Sequence, residues 1–226
     1  MKNTNTLSKD NKQNKKISSA VIRRLPRYFR FLRELMQNGV LRISSGDLSD
    51  RMSTTASQIR QDLNCFGEFG QQGYGYNVKY LHSQISEILG VTDRYNVVLI
   101  GAGNLGRALA RSKIFVNRAM TLTAIFDVDK DLVGKKLDDI PVYDVAELEK
   151  FCAGNKVDIV VLTMPRDFAF EMAKRLSATN IKGVWNFTGA EISRSICSKP
   201  VENVHMGDSL MTLCYKIKTS SSKDEK

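Results

Sequence analysis

Val97-Val98-Leu99-Ile100-Gly101-Ala102-Gly103-Asn104-Leu105-Gly106 is the stretch on which the fold turns. An apolar run leads straight into a Gly-x-Gly-x-x-Gly turn, and the next apolar run ends at Asp127, 21 residues beyond Gly106. The glycine spacing alone is unspecific. Placed after a buried strand, at the opening of a helix and ahead of an acid at that distance, it is the pattern that holds a dinucleotide. Gly101 permits the turn, Gly103 lets backbone approach a pyrophosphate, and Gly106 lets helix and strand touch. Ala102, Asn104 and Leu105 complete the cradle, where the helix N-terminus offers N–H groups and a positive dipole to phosphates. Asp127 is expected to accept from the adenosine ribose hydroxyls and to repel a 2′-phosphate, which favours NAD(H) over NADP(H).

Downstream, strand and helix patterns alternate. Strands read at 96–100, 121–126, 158–163 and 183–187, with a shorter one near 140–143; helices fit at 104–116, 145–153 and 166–178. Such alternation with short loops predicts an α/β fold with a doubly wound parallel sheet. Thr163-Met164-Pro165 and Asn186-Phe187-Thr188 fall at carboxyl ends of strands, where ligands bind in open α/β sheets. Thr163, Pro165, Asn186, Phe187 and Thr188 are therefore candidates to surround the nicotinamide. No convincing proton donor accompanies them; His205 is the one candidate imidazole. Catalysis is disfavoured, though a small NAD-dependent oxidoreductase with a basic N-terminal extension stays open as an alternative. A last apolar-faced helix, 206–218, with Leu210, Leu213, Cys214 and Ile217 on one side, is expected to close its own domain or pack on a second subunit. Residues 219–226 read as a polar tail.

Ahead of the glycine turn the chain is basic. The formal net charge is +10; residues 1–90 hold 14 Lys+Arg against 7 Asp+Glu, and residues 91–226 hold 20 against 17. That asymmetry points to an anionic polymer, and nucleic acid fits better than membrane because no amphipathic Trp/Leu face accompanies it. Residues 1–18 are expected to be a disordered basic tail. Val21, Leu25, Tyr28, Phe29, Leu32, Leu35 and Met36 then recur at helical spacing. Pro26 is best tolerated near a first turn, so the main helix is expected to begin there, with Asn38-Gly39 as its stop. Arg23, Arg27 and Arg30 share one face.

Ser45 can cap a short helix containing Leu48 and Met52, and Thr55 with Gln58 has capping-box spacing for the next. In that second helix Ala56, Ile59, Leu63 and Phe66 form a buried face, while Ser57, Arg60, Gln61 and Asn64 face outward. Helix, turn, helix with a polar outward face is a helix-turn-helix plan whose Arg, Gln and Asn residues can read base edges. The glycine–aromatic run from Phe66 to Tyr76 reads as a hairpin and, in this position, as the wing of a winged helix. A linking helix is expected over 77–94.

The remaining composition sets limits. Hydrophobic residues make up 42% and charged residues 26%, enough for packed cores. No run approaches the ~18 apolar residues of a membrane span, and the N-terminus lacks the apolar core of a secretory signal, so a cytoplasmic location is expected. Cys65, Cys152, Cys197 and Cys214 lack metal-ligand spacing, and only His82 and His205 could assist them, so no metal site is expected.

Taken together, the chain resembles the Rex family of redox-sensing transcriptional repressors over about residues 20–215. The resemblance rests on Arg24-Leu25-Pro26, Ile59-Arg60-Gln61-Asp62-Leu63, Phe66-Gly67-Glu68-Phe69-Gly70, Gly73 to Val78, Gly101 to Arg107, Phe126-Asp127-Val128-Asp129, Ile140-Pro141-Val142-Tyr143 and Gly183 to Thr188. It implies a homodimer, each chain having a winged-helix domain (19–92), a Rossmann NAD(H)-binding domain (93–205) and an exchanged C-terminal helix. It implies double-stranded operator DNA as partner, release by NADH, and no enzymatic activity. Candidate DNA contacts are Arg24, Arg27, Arg30, Ser45, Ser57, Gln58, Arg60, Gln61, Asn64 and Tyr74. The sequence departs from the family pattern at Cys65, Gln71-Gln72, Ser112, Gly189 and His205, which leaves open a paralogue that binds DNA without distinguishing NADH from NAD+.

Overall fold

The computed structural model describes residues 17–67, 69–71, 74–115 and 119–221. The expected tail over 1–16, Gln72 and the end of the polar tail over 222–226 lie outside the described residues. The chain divides into two compact units between Thr92 and Asp93.

The first unit runs α1 (Ser19–Gln37), β1 (Arg42–Ile43), α2 (Ser45–Met52), α3 (Ala56–Asn64), β2 (Gly70–Gln71), β3 (Gly75–Asn77) and α4 (Val78–Ile88). Its strands form an antiparallel sheet in the order β1-β3-β2. Four helices backed by a small sheet with a β2–β3 hairpin make a winged helix. Leu25, Tyr28, Leu32, Leu48, Met52, Ile59, Leu63, Leu81 and Ile85 form its core. Gly75, at φ +66, is needed where β3 crosses β1, because a Cβ there would lie 2.5 Å from the Ile43 carbonyl oxygen.

Three local expectations are corrected. Helix α1 begins at Ser19, not at Pro26, which sits inside it. An interior proline costs about 3 kcal/mol. Burial of Val21 and Leu25 on the turn before it offsets that loss, and the Ser18 side chain caps the earlier start by accepting from the Val21 N–H. Ser44 rather than Ser45 caps α2, in a full capping box with Asp47; Ser45 is the first helical residue. Thr55 does cap α3, accepting from the Gln58 N–H at 3.2 Å, but the Gln58 side chain turns elsewhere.

The second unit contains β4 (Tyr95–Ile100), α5 (Asn104–Arg111), β5 (Met120–Asp127), β6 (Lys136–Leu137), β7 (Ile140–Asp144), α6 (Leu148–Gly154), β8 (Ile159–Leu162), α7 (Ala169–Ser177), β9 (Gly183–Asn186), β10 (Val201–Asn203) and α8 (Met206–Ser221). The sheet order is β10-β9-β8-β4-β5-β7-β6, parallel except for the β6–β7 pair. Chain order reverses between β4 and β8, and an open α/β sheet binds ligands at that crevice. Val98, Ile100, Phe126, Val160 and Leu162 pack with residues of α6 and α7 in one core layer. Val97, Leu99, Ile125 and Val161 contribute to a second layer with Leu109 and Ala110 of α5.

Helix α5 is shorter than the expected 104–116 and ends at Arg111. Short 3-10 turns at Val145–Glu147 and Arg166–Phe168 begin the segments expected as helix from 145 and 166. Strands β1, β6 and β10 are too short to show a period and were not expected. Helix α8 extends to Ser221, so its last residues replace part of the expected polar tail. Leu210, Leu213, Cys214 and Ile217, expected as a buried side, are all exposed in the single chain.

Candidate functional site

The glycine turn is built by backbone geometry. Gly101 takes φ +103, and a Cβ there would lie 2.8 Å from the Met164 backbone nitrogen. Its N–H donates to the Phe126 carbonyl at 2.8 Å. Gly106 is tighter, since a Cβ would fall 1.9 Å from the Gly101 carbonyl oxygen. The Thr163 hydroxyl donates to the carbonyls of Ile100 (3.1 Å) and Gly101 (2.7 Å), tying the end of β8 to the turn. Gly103 differs from both. It is the N-cap of α5 at φ −68, and a Cβ there would meet no protein atom within 4 Å. The protein itself has no steric need for glycine at 103; the open space lies where the turn meets the cleft.

No side chain caps α5, and its first turn carries no acid, so its leading N–H groups are free to hold an anion. At the other wall, Asp127 accepts from the N–H of Ala102 through Oδ2 and from those of Val128 and Asp129 through Oδ1 at 2.8 and 2.9 Å. Ile100, Gly101, Gly103, Asp127, Val128 and Thr163 contribute to one cleft of about 750 Å³, together with Met164, Pro165 and α7 residues. Apolar walls, an anion-ready helix end and a carboxylate on the side of β5 suit a dinucleotide of the NAD type.

In the first unit, the α3 row Ser57, Arg60, Gln61 and Asn64 is exposed, as are Arg27 and Arg30 on α1. Both arginines lie 6.0 Å from the Phe31 ring centroid. Arg60 donates to the Ser45 hydroxyl at 2.9 Å, which joins the N-terminus of α2 to the α3 row. Tyr74, 70% exposed on the wing, has its carbonyl held by Arg42 at 3.1 Å.

Arg24 and Gln58 turn inward. Asp62 is fully buried, and Arg24 donates to both its oxygens at 2.6 Å. Tyr28 donates to it at 2.9 Å and Gln58 at 2.8 Å. Burial alone would raise the Asp62 pKa; the hydrogen bonds from Arg24, Tyr28 and Gln58, with the Arg24 charge, more than reverse this and hold it below the usual carboxylate range. The same contacts raise Arg24, chiefly through its hydrogen bond to Asp62. These two residues are therefore better assigned to orienting α3 against α1 than to the outer surface. Sequence reading missed Asp62 as their partner, although its place beside Leu63, on the inward side of α3, was a signal.

A family profile described as "CoA binding domain" matches residues 92–190. One described as "Putative DNA-binding protein N-terminus" matches residues 16–64. The chain is 50% identical over 205 residues to the redox-sensing transcriptional repressor Rex of Clostridium botulinum (strain Eklund 17B / Type B), covering 91% of this chain and 97% of that protein. The chain belongs to the Rex family. Two solved structures extend the likeness. RSP in complex with NAD+ and operator DNA is 47% identical, covering 92% of this chain and 96% of that one, with a TM-score of 0.82. RSP in complex with NADH is 44% identical, covering 94% and 99%, with a TM-score of 0.84.

Within this Rex-family chain the strand-end candidates divide. Thr163 and Pro165 line the cleft. Asn186 is buried and wholly engaged in the protein. It donates to the Ala190 carbonyl and to Asn203 Oδ1 at 2.7 and 2.8 Å, and it accepts from the N–H and hydroxyl of Thr188 at 3.0 and 2.7 Å. Phe187 packs on Trp185 with ring centroids 4.5 Å apart. Asn186 thus braces the loop after β9. His205 lies 2.8 Å from Glu191 Oε2 and is not one of the residues lining the cleft. Among the described residues no cluster of His, Cys, Asp and Glu could hold a metal ion, and no helix is long and apolar enough to cross a membrane.

Proposed function

We infer that this chain is a redox-sensing transcriptional repressor. It binds operator DNA as a homodimer through its winged helices and is released when NADH fills the Rossmann cleft. The observation that carries the reading is the open cradle at Gly103, beside an uncapped α5 and across from Asp127. The operator and NADH complexes of the Rex-family relative RSP support the assignment of each unit.

The chain's own groups have distinct tasks. The first N–H groups of α5 hold the diphosphate, and Asp127 accepts from ribose hydroxyls while keeping out a 2′-phosphate. Thr163 and Pro165 wall the path toward the nicotinamide. That ring is a cation in NAD+ and neutral in NADH, so an apolar wall favours the reduced form. On the first unit, Ser57, Arg60, Gln61 and Asn64 read base edges, with Arg27, Arg30 and Tyr74 on backbone. NADH lowers DNA affinity only to the extent that it binds better to a dimer geometry that DNA disfavours.

The protein acts as a sensor without turnover. Of the titratable groups lining the cleft, Asp127 is engaged by backbone N–H groups, Arg175 is paired with Glu149 at 2.7 Å, and Glu171 is exposed on α7. Dimerisation is supported by α8, where Leu210, Met211, Leu213, Tyr215 and Ile217 are all exposed. An operator partner supports a cytoplasmic location.

The test is a fluorescence-anisotropy titration on a palindromic duplex selected with the purified protein, repeated with NADH and with NAD+. Salt-sensitive binding that NADH weakens and NAD+ does not is expected. Operator affinity unchanged at saturating NADH removes the sensing role. Oxidation of NADH by a panel of small carbonyls would establish an oxidoreductase instead.

A further inference from the structure

Ala102 is held through both backbone groups by charged side chains. Its N–H donates to Asp127, and its carbonyl accepts from Arg107 Nε at 2.7 Å. Side chains on a helix lean toward its N-terminus, so Arg107, one turn inside α5, reaches back to the glycine turn. Glycines flank Ala102 on each side, one of them at φ +103. Glycine restrains its neighbouring peptides least, so local geometry alone leaves the Ala102 carbonyl free to swing toward the cleft. A carbonyl oxygen presented there would repel a diphosphate. Charge-assisted hydrogen bonds are roughly twice as strong as neutral ones, and one such bond draws this oxygen to the guanidinium.

We propose that Arg107 is a positioning residue for the dinucleotide: it fixes the Ala102–Gly103 peptide so that the cradle presents N–H groups to the diphosphate. This rests on the reading of the cleft as an NAD(H) site. The Arg107 charge also offsets that of Asp127, which would otherwise oppose a dianionic ligand. NADH, NAD+ and ADP-ribose share the diphosphate and differ beyond it. Arg107 therefore sets the strength of all three alike and contributes nothing to discrimination between the redox forms.

Calorimetric titration of NADH, NAD+ and ADP-ribose into the full-length protein and its Arg107→Gln and Arg107→Lys variants tests this. The Gln variant is expected to raise all three dissociation constants by about the same factor, roughly tenfold, the scale of a lost bond to a charged group. The Lys variant, keeping the charge and a donor, is expected to recover part of the loss. One site per chain is retained throughout. Unchanged constants overturn the proposal, as does a shift in the NADH to NAD+ ratio. Fewer sites with an unchanged constant also overturn it, because that marks a folding defect. A wild-type protein that binds neither NADH nor ADP-ribose sinks the cleft reading itself, whereas wild-type binding with unaffected variants sinks the role of Arg107 alone.

Discussion

Gly103→Ala separates the needs of the fold from the needs of the ligand. At φ −68 the backbone of residue 103 suits alanine, and the added methyl meets no protein atom within 4 Å. Removing glycine's freedom in the unfolded chain stabilises by about 0.4–1 kcal/mol where the native geometry is permissive, so the melting temperature should hold or rise slightly. On the proposed reading of the cradle, the same methyl would occupy the space through which a diphosphate reaches the N–H groups of α5. One hydrogen bond to a charged group contributes about 1.5–3 kcal/mol; losing one weakens NADH binding by roughly 10- to 150-fold. Gly106→Ala is the control. Its methyl would lie 1.9 Å from the Gly101 carbonyl oxygen, a clash with backbone that nothing nearby can relieve. It should unfold or loosen the second unit, at a cost of about 1–3 kcal/mol or more. Thermal melting and calorimetric NADH titration read both quantities on the same samples. If Gly103→Ala binds NADH like the wild type, the cradle is misplaced; if it melts like Gly106→Ala, position 103 is structural.

Three further outcomes are expected. Arg60→Ala should cost about 1–3 kcal/mol of operator affinity and relax sequence preference at one base pair without moving the melting temperature; an unaltered preference means α3 does not read DNA through Arg60. Arg24→Met should do the reverse, removing about 1–3 kcal/mol of stability by leaving the buried Asp62 carboxylate with Tyr28 and Gln58 as its remaining side-chain donors. Because the Asp62 pKa is depressed, the stability it contributes is present above its unfolded value of about 3.9 and is lost as pH falls through the folded value. Acid unfolding of Arg24→Met should accordingly lie at higher pH than that of the wild type. His82 stacks on Phe29 at 4.6 Å with Nε2 buried and without a hydrogen-bond partner among the described residues, and burial followed by the Arg33 charge lowers its pKa. Below its unfolded pKa of about 6.5 the unfolded chain takes up a proton that the folded one resists, so stability falls as pH drops below that value. His82→Leu should flatten that slope in urea melts between pH 7 and 5, and an unchanged slope excludes His82 as its source.

Local patterns carried the elements that depend on near neighbours. The run Val97 to Ile100, the glycine spacing and Asp127 set a strand, a turn and an acid within one βαβ unit, and steric rules of the backbone make that order readable along the chain. The outward row Ser57, Arg60, Gln61 and Asn64 follows from helical period for the same reason. Pro26 misled because a local rule about an unsatisfied N–H gave way to burial of Leu25 against residues distant in sequence. Strands β1, β6 and β10, of two or three residues each, carry no period and exist through the strands they pair with.

What only tertiary structure decided is which side chains are already engaged. Arg24 and Asp62 are 38 positions apart, and Asn186 and Asn203 are 17. Nothing in the sequence near an arginine says whether a buried carboxylate waits for it across the fold. Free energy of a buried charge depends on all the partners that converge on it, and that convergence exists only once the chain has packed. The amino-acid order alone was enough to say that a nucleotide cradle follows a cationic reader. Folding then divided the candidates into those the protein uses on itself, Arg24, Gln58 and Asn186, and those it leaves at the surface, such as Arg60, which spends one N–H on Ser45, and Gly103.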